Sequence, residues 1–87
     1  MELEQLRIFL AVAEEKSFTR GAKKLFISHS TTSRAVSALE EELGTPLLRR
    51  GNQILGLTEA GELLCREGGE LLRRAEELKA RIAERRE

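Results

Sequence analysis

The chain has 87 residues, of which 40% are hydrophobic and 34% charged, with 15 acidic and 15 basic side chains, three phenylalanines and no tryptophan or tyrosine. That length holds one small domain, and the dominance of Glu, Arg, Leu and Ala over β-branched and aromatic residues argues against an all-β protein. The longest apolar run, Ile8 to Ala13, falls far short of the ~20 residues that cross a bilayer, and the acidic start MELEQL is unlike a signal sequence. A single cysteine, Cys65, and a single histidine, His29, supply neither an internal disulfide nor a metal-ligand cluster. The expectation is therefore a cytoplasmic protein without metal or other cofactor.

The zero net charge conceals an uneven distribution. From Lys16 through Leu39 there are five bases, Lys16, Arg20, Lys23, Lys24 and Arg34, and no acid; between Leu43 and Thr58 the only charges are Arg49 and Arg50. Acids gather at Glu2 to Glu15, at Glu40 to Glu42, and in a C-terminal segment where Glu and Arg alternate. A neutral chain thus carries a local basic stretch suited to phosphate.

In chain order, Leu6, Phe9, Leu10 and Ala13 recur at helical spacing and predict a first helix from about Leu3 to Glu15. Ser17 is placed to cap a second, short helix from Phe18 to Leu25 or Phe26, with Phe18, Ala22 and Leu25 on one face. Gly21 inside it predicts a close helix crossing that offsets its poor helix propensity. Ser28 caps a third helix from His29 to Leu43, stopped by Gly44 and Pro46. At ~100° per residue, Thr32, Val36, Leu39 and Leu43 form its core side, and Ser30, Ser33, Arg34 and Ser37 a small polar side. Its terminal acids oppose the helix dipole, so something other than helix stability placed them there.

Residues 47–57 then read as two short strands around a Gly51-Asn52 turn. Thr58 caps a final helix of about 27 residues, in which Leu64, Leu71 and Leu78 interleave with Gly68, Ala75 and Ile82 at coiled-coil spacing. Such a helix is ~40 Å long, more than one small globule covers, and is expected to pair with a second copy.

Two helices joined by a tight turn and followed by a hairpin make a winged helix-turn-helix. The run RIFLAVAEEKSFTRGAKKLFISHSTTSRAVSALEEELGTPLLRR, followed by LTEAG, closely resembles the N-terminal domain of LysR-type transcriptional regulators, without a gap from Met1 to about Leu72. The most specific matches are Ser17-Phe18-Thr19, Ala22, Leu25, Ser28, Ser33-Arg34, Leu39-Glu40, Leu43-Gly44, Pro46-Leu47, Arg50 and Leu57-Thr58-Glu59-Ala60-Gly61. The resemblance implies a mainly α fold, with a winged helix-turn-helix over residues 1–58 and a dimerisation linker helix over 59–87. It also implies a homodimer on an interrupted DNA palindrome, the third helix in the major groove and the wing beside the minor groove.

The residues agree with that implication. Ser30, Ser33 and Ser37 are short enough to let the helix approach the groove floor, Thr31 offers a hydroxyl and a methyl, and Arg34 suits bidentate contact with guanine. His29 completes the base-contact candidates. Ser28, at the helix N-terminus, and Lys23, Lys24, Arg49 and Arg50 are the candidates for phosphate. No Asp occurs and no side-chain set suits catalysis, so an enzyme is not expected.

Departures are also visible. His29 stands where the family commonly has glutamine, the wing lacks the extra bases usual after its turn, and Gly68-Gly69 interrupts the final helix, permitting either close approach or a kink. The family normally continues into a two-lobed effector domain, so the sequence reads either as an excised DNA-binding portion or as a protein working without one, and inducer binding is not expected of these residues. A competing reading is a helical interaction module that pairs through its Glu/Arg-rich helix and never touches DNA. It leaves the basic stretch without a task. A winged-helix regulator of the molybdate-responsive type is a further alternative. Each candidate also has a plainer reading: Arg34 and His29 as solvated side chains, Arg49 and Arg50 as guards of an edge hairpin, Cys65 as a small core residue, and the leucine row as intramolecular packing.

Overall fold

The computed structural model describes residues 1–86, apart from the side chain of Leu55. Its elements are α1 (Leu3–Glu15), α2 (Phe18–Leu25), α3 (His29–Leu43), β1 (Leu48–Arg50), β2 (Ile54–Leu57) and α4 (Glu59–Glu84). Leu6, Phe9 and Val12 of α1 are fully buried, and Ile8 and Ala11 nearly so, because their spacing turns a broad apolar stripe inward. Lys16 adopts the left-handed conformation and ends α1. Ser17 then caps α2 by accepting the Arg20 amide at 3.1 Å. Where α2 crosses α1, a β-carbon on Gly21 would stand 2.9 Å from the Val12 α-carbon, so only glycine allows this approach.

Ser28 caps α3 by accepting the Thr31 amide at 3.0 Å. Thr32, Val36 and Leu39 are fully buried, and the Thr32 hydroxyl donates to the Ser28 carbonyl at 2.9 Å, so its burial leaves no polar group unsatisfied. Leu43, expected on the same core side, is instead 42% exposed. The chain turns at Gly44 so that Leu47 and Leu48 fill the core beside Leu39, and the last turn of α3 is left outside.

The hairpin is antiparallel, pairing Leu48 with Leu57, Arg49 with Gly56 and Arg50 with Ile54, with the register slipping by one residue between Arg49 and Arg50. The Gly51 amide donates to the Gln53 carbonyl at 2.9 Å and closes the turn. Thr58 links the hairpin to α4. Its hydroxyl accepts the Gly61 amide at 3.0 Å and donates to the Pro46 carbonyl at 2.7 Å, and its amide donates to the Leu47 carbonyl at 3.1 Å.

Along α4, Gly61 and Gly68 are buried and Leu64 and Cys65 are half-buried against the core. Every residue from Glu76 to Arg86 is exposed. With 26 residues at a rise of about 1.5 Å each, α4 outruns the domain that holds its first half, which gives the molecule its 52 × 26 × 19 Å extents. Among the described residues, no helix is long and apolar enough to cross a membrane.

Candidate nucleic-acid interface

The outward side of α3 is small and polar. Ser30, Thr31, Arg34 and Ser37 are exposed, and Ser33 sits half-buried at the edge of the same face. Arg34 has no ion-pair partner among the described residues, so its guanidinium is available to a ligand. The Ser28 hydroxyl is already engaged: besides capping Thr31, it donates to the Thr31 hydroxyl at 2.9 Å. What the start of α3 offers an anion is therefore its first backbone amides and dipole rather than that hydroxyl. His29 is exposed at the first position of α3, its ring centroid 6.0 Å from that of Phe18 in a tilted arrangement.

The four basic candidates for phosphate fall into two groups. Lys23 and Arg49 are exposed and make no ion pair among the described residues. Lys24 donates to Glu14 at 2.6 Å and lies 3.8 Å from Glu15, and the Glu14 hydrogen bond holds its pKa above the ordinary lysine range. That pair is exposed, so phosphate can displace it at small cost. Arg50 is more firmly held. Its guanidinium donates to Glu40 Oε1 at 2.9 Å and lies 5.0 Å over the Phe18 ring.

Glu40, which is not among the site candidates read from the sequence, is the residue that ties α3 to the wing. Its other oxygen, Oε2, accepts the amides of Leu47 at 2.8 Å and Leu48 at 3.4 Å, so one carboxylate at the end of α3 anchors both the start of β1 and its last residue. The favourable partners offset the poor fit of a carboxylate to the helix C-terminus. The motif pair Leu39-Glu40 and Arg50 held the signal, but a ten-residue spacing across a turn has no helical or strand period to reveal it.

The α4 residues proposed to face a second copy divide as well. Gly68 packs inward: a β-carbon there would stand 2.7 Å from Leu6 Cδ1. Leu64 is half-buried on the core and Ala75 is half-buried in the groove beside α1. Leu71, Leu78 and Ile82 remain 49%, 57% and 62% exposed. Of the two alternatives for Gly68-Gly69, close approach is what Gly68 makes, against Leu6 of α1, and α4 runs as one continuous helix through both glycines.

Residues 3–62 match the family described as bacterial regulatory helix-turn-helix protein, lysR family. The chain is 50% identical over 72 residues to the HTH-type transcriptional regulator BudR of Klebsiella aerogenes, covering 83% of this chain and 50% of that protein. It is 44% identical over 80 residues to a probable cat1 operon transcriptional activator of Acinetobacter lwoffii, covering 92% and 26% respectively. The chain thus spans between a quarter and a half of the length of these relatives. Among solved structures, the BenM DBD in complex with catB site 1 DNA superposes with a TM-score of 0.90 at 39% identity, over 97% of this chain and 93% of that one. The CbnR DBD in its DNA complex gives 0.79 at 38% identity, over 98% and 93%.

Proposed function

The chain belongs to the lysR family of bacterial regulatory helix-turn-helix proteins, and from that premise we propose that it is the DNA-reading part of a dimeric transcriptional regulator. The observation that carries this reading is the outward face of α3, where Ser30, Ser33 and Ser37 present small polar groups around Arg34, which has no ion-pair partner among the described residues. Short side chains let a helix lie deep in the major groove, and an arginine among them reaches the O6 and N7 acceptors of guanine. His29 and Thr31 flank that face at the entering end of the helix. Glu41 lies on the same side but in the last turns, away from the entering end.

Lys23 and Arg49 supply phosphate contacts, Lys24 joins them by exchanging its exposed carboxylate partner, and the amides at the start of α3 beyond Ser28 complete the backbone grip. The wing, 47–57, lies at the adjacent minor groove. Residues 1–58 form the DNA-binding unit and 59–87 the dimerisation segment, whose last residue lies outside the described ones, with the first turns of α4 doing double duty as part of the core. Leu71, Ala75, Leu78 and Ile82 make the seam with a second copy, Leu64 lies at its inner end, and Gly68 admits α4 to α1 within the same copy. A two-fold dimer of this kind reads a palindrome with a gap. The same reading places the protein in the cytoplasm, with double-stranded DNA as its partner and no cofactor.

Selection of bound duplexes from a random pool, followed by sequencing, tests DNA binding, palindromy and half-site spacing together. The expected product is an interrupted palindrome. Enrichment of no sequence, together with no salt-dependent anisotropy change on any duplex, overturns the reading.

A further inference from the structure

We propose that Glu40 governs sequence discrimination by holding the Arg50 charge away from phosphate and fixing the wing against α3, an inference that rests on the DNA-binding reading above. Glu40 is a positioning residue, since it acts through Arg50. Three donors outside its own helix converge on its carboxylate: the Leu47 and Leu48 amides on Oε2 and the Arg50 guanidinium on Oε1. The Glu40 side chain is only 18% exposed, and both of its oxygens are engaged.

Arg50 is gripped from two directions, by that charge and by the face of Phe18, where the 5.0 Å separation is within cation–π range. The Phe18 ring in turn lies 6.0 Å from His29. His29 and Glu40 are eleven residues apart, which on an α-helix is about 16 Å along the axis and roughly 20° around it. Glu40, Arg50, Phe18 and His29 therefore run along one flank of α3 from its last turn to its first, with the end of β1 built into the row. An unpaired arginine on a hairpin binds any phosphate. Here the planar guanidinium is committed to geometry, which sets the wing relative to the helix that reads the bases.

The consequence runs against the usual effect of damaging an interface. Removal of the Glu40 charge releases Arg50 to neutralise a phosphate, so binding to arbitrary DNA strengthens while discrimination falls. The test uses the full chain, a fluorescein-labelled random-sequence duplex, and the duplex most enriched by the wild-type chain. For Glu40→Gln, the expected result is tighter binding to the random duplex, a salt dependence steeper by about one unit of log K against log salt, and a roughly tenfold lower ratio of specific to random affinity. In Glu40→Gln/Arg50→Gln the slope returns to that of the wild type. Arg50→Gln alone keeps the wild-type slope but loses discrimination, and provides the test if Glu40→Gln does not fold, which a thermal melt reports. Equal loss on both duplexes in Glu40→Gln, or a slope reduced by about one in Arg50→Gln, overturns the proposal while leaving DNA binding intact. Failure of the wild-type chain to bind either duplex at any salt overturns the DNA-binding reading itself.

Discussion

Gly61 passes so close beneath the backbone of Leu47 that a β-carbon on it would stand 2.1 Å from the Leu47 carbonyl oxygen and 3.0 Å from the carbonyl carbon. The obstacle is main chain, so rotamer changes cannot relieve it, and Gly61→Ala must push α4 away from the loop that precedes the wing. The expected outcome is a loss of a few kcal/mol, as for other overpacked core sites, seen as a lower urea midpoint. Gly69, two turns along the same helix, has nothing within 4 Å of its would-be β-carbon. Gly69→Ala is expected to raise stability by about 0.5–1 kcal/mol through helix propensity alone.

Thr58 uses its hydroxyl twice, as acceptor from Gly61 and as donor to Pro46. Thr58→Ala is expected to cost about 1–2 kcal/mol, a fall in Tm of roughly 4–8 °C per kcal/mol for a domain of this size. Thr58→Ser keeps both bonds and should recover most of that loss in a calorimetric scan.

Arg34 and Lys23 should separate by the kind of affinity they support. Arg34→Ala is expected to weaken binding to a selected duplex by about 1–3 kcal/mol while changing random-duplex affinity little. Lys23→Ala should weaken both alike and lower the salt slope by about one. Anisotropy titrations at several salt concentrations distinguish them, and equal losses for both variants on both duplexes would count against the assignment.

Leu78 is 57% exposed in the single chain, so Leu78→Glu removes little intramolecular packing. Sedimentation equilibrium should show the variant as a monomer at concentrations where the parent chain is a dimer, with an unchanged Tm in dilute solution. A variant that still dimerises places the seam elsewhere on the molecule.

Burial pushes the Cys65 thiol above its ordinary pKa, with the nearby Glu62 charge adding in the same direction. Alkylation by iodoacetamide near pH 8 should therefore be slower than for free cysteine and reach the free rate in urea. Because the folded value is raised, the contribution to stability is fully present below the unfolded thiol's pKa of about 8.5 and is lost as pH rises through the folded value. Cys65→Ala should remove that part of the alkaline decline in urea midpoint.

The helices were legible because their signals are local. Ser17, Ser28 and Thr58 all act as the caps their positions predict, and Gly21 does mark a close crossing, against Val12. Leu43 shows where periodicity stops informing: its angle around α3 suits the core, but the path of the chain after Gly44 decides what covers the last turn. Gly68 makes a similar point, since a heptad position does not say whether a neighbouring helix belongs to the same copy or another. The four basic candidates for phosphate could be named from charge alone. That Lys24 faces Glu14 and Arg50 faces Glu40 depends on contacts ten residues apart, made only when α1 meets α2 and the hairpin folds back on α3.

Residues 76–86 of this chain are all exposed, with only Glu76 and Lys79 bordering the groove beside the start of α1. For that stretch the helix–coil balance is that of a short peptide, in which nucleation is costly and length too small to sustain order without a partner. Arg73 clamps Glu70 on one side and Glu77 on the other, bridging the turns that the domain supports to the start of that stretch. Amide hydrogen exchange in the outer half of α4 should consequently depend on protein concentration, while that in α1 and α3 does not, so each molecule carries in one helix its own record of whether it stands alone.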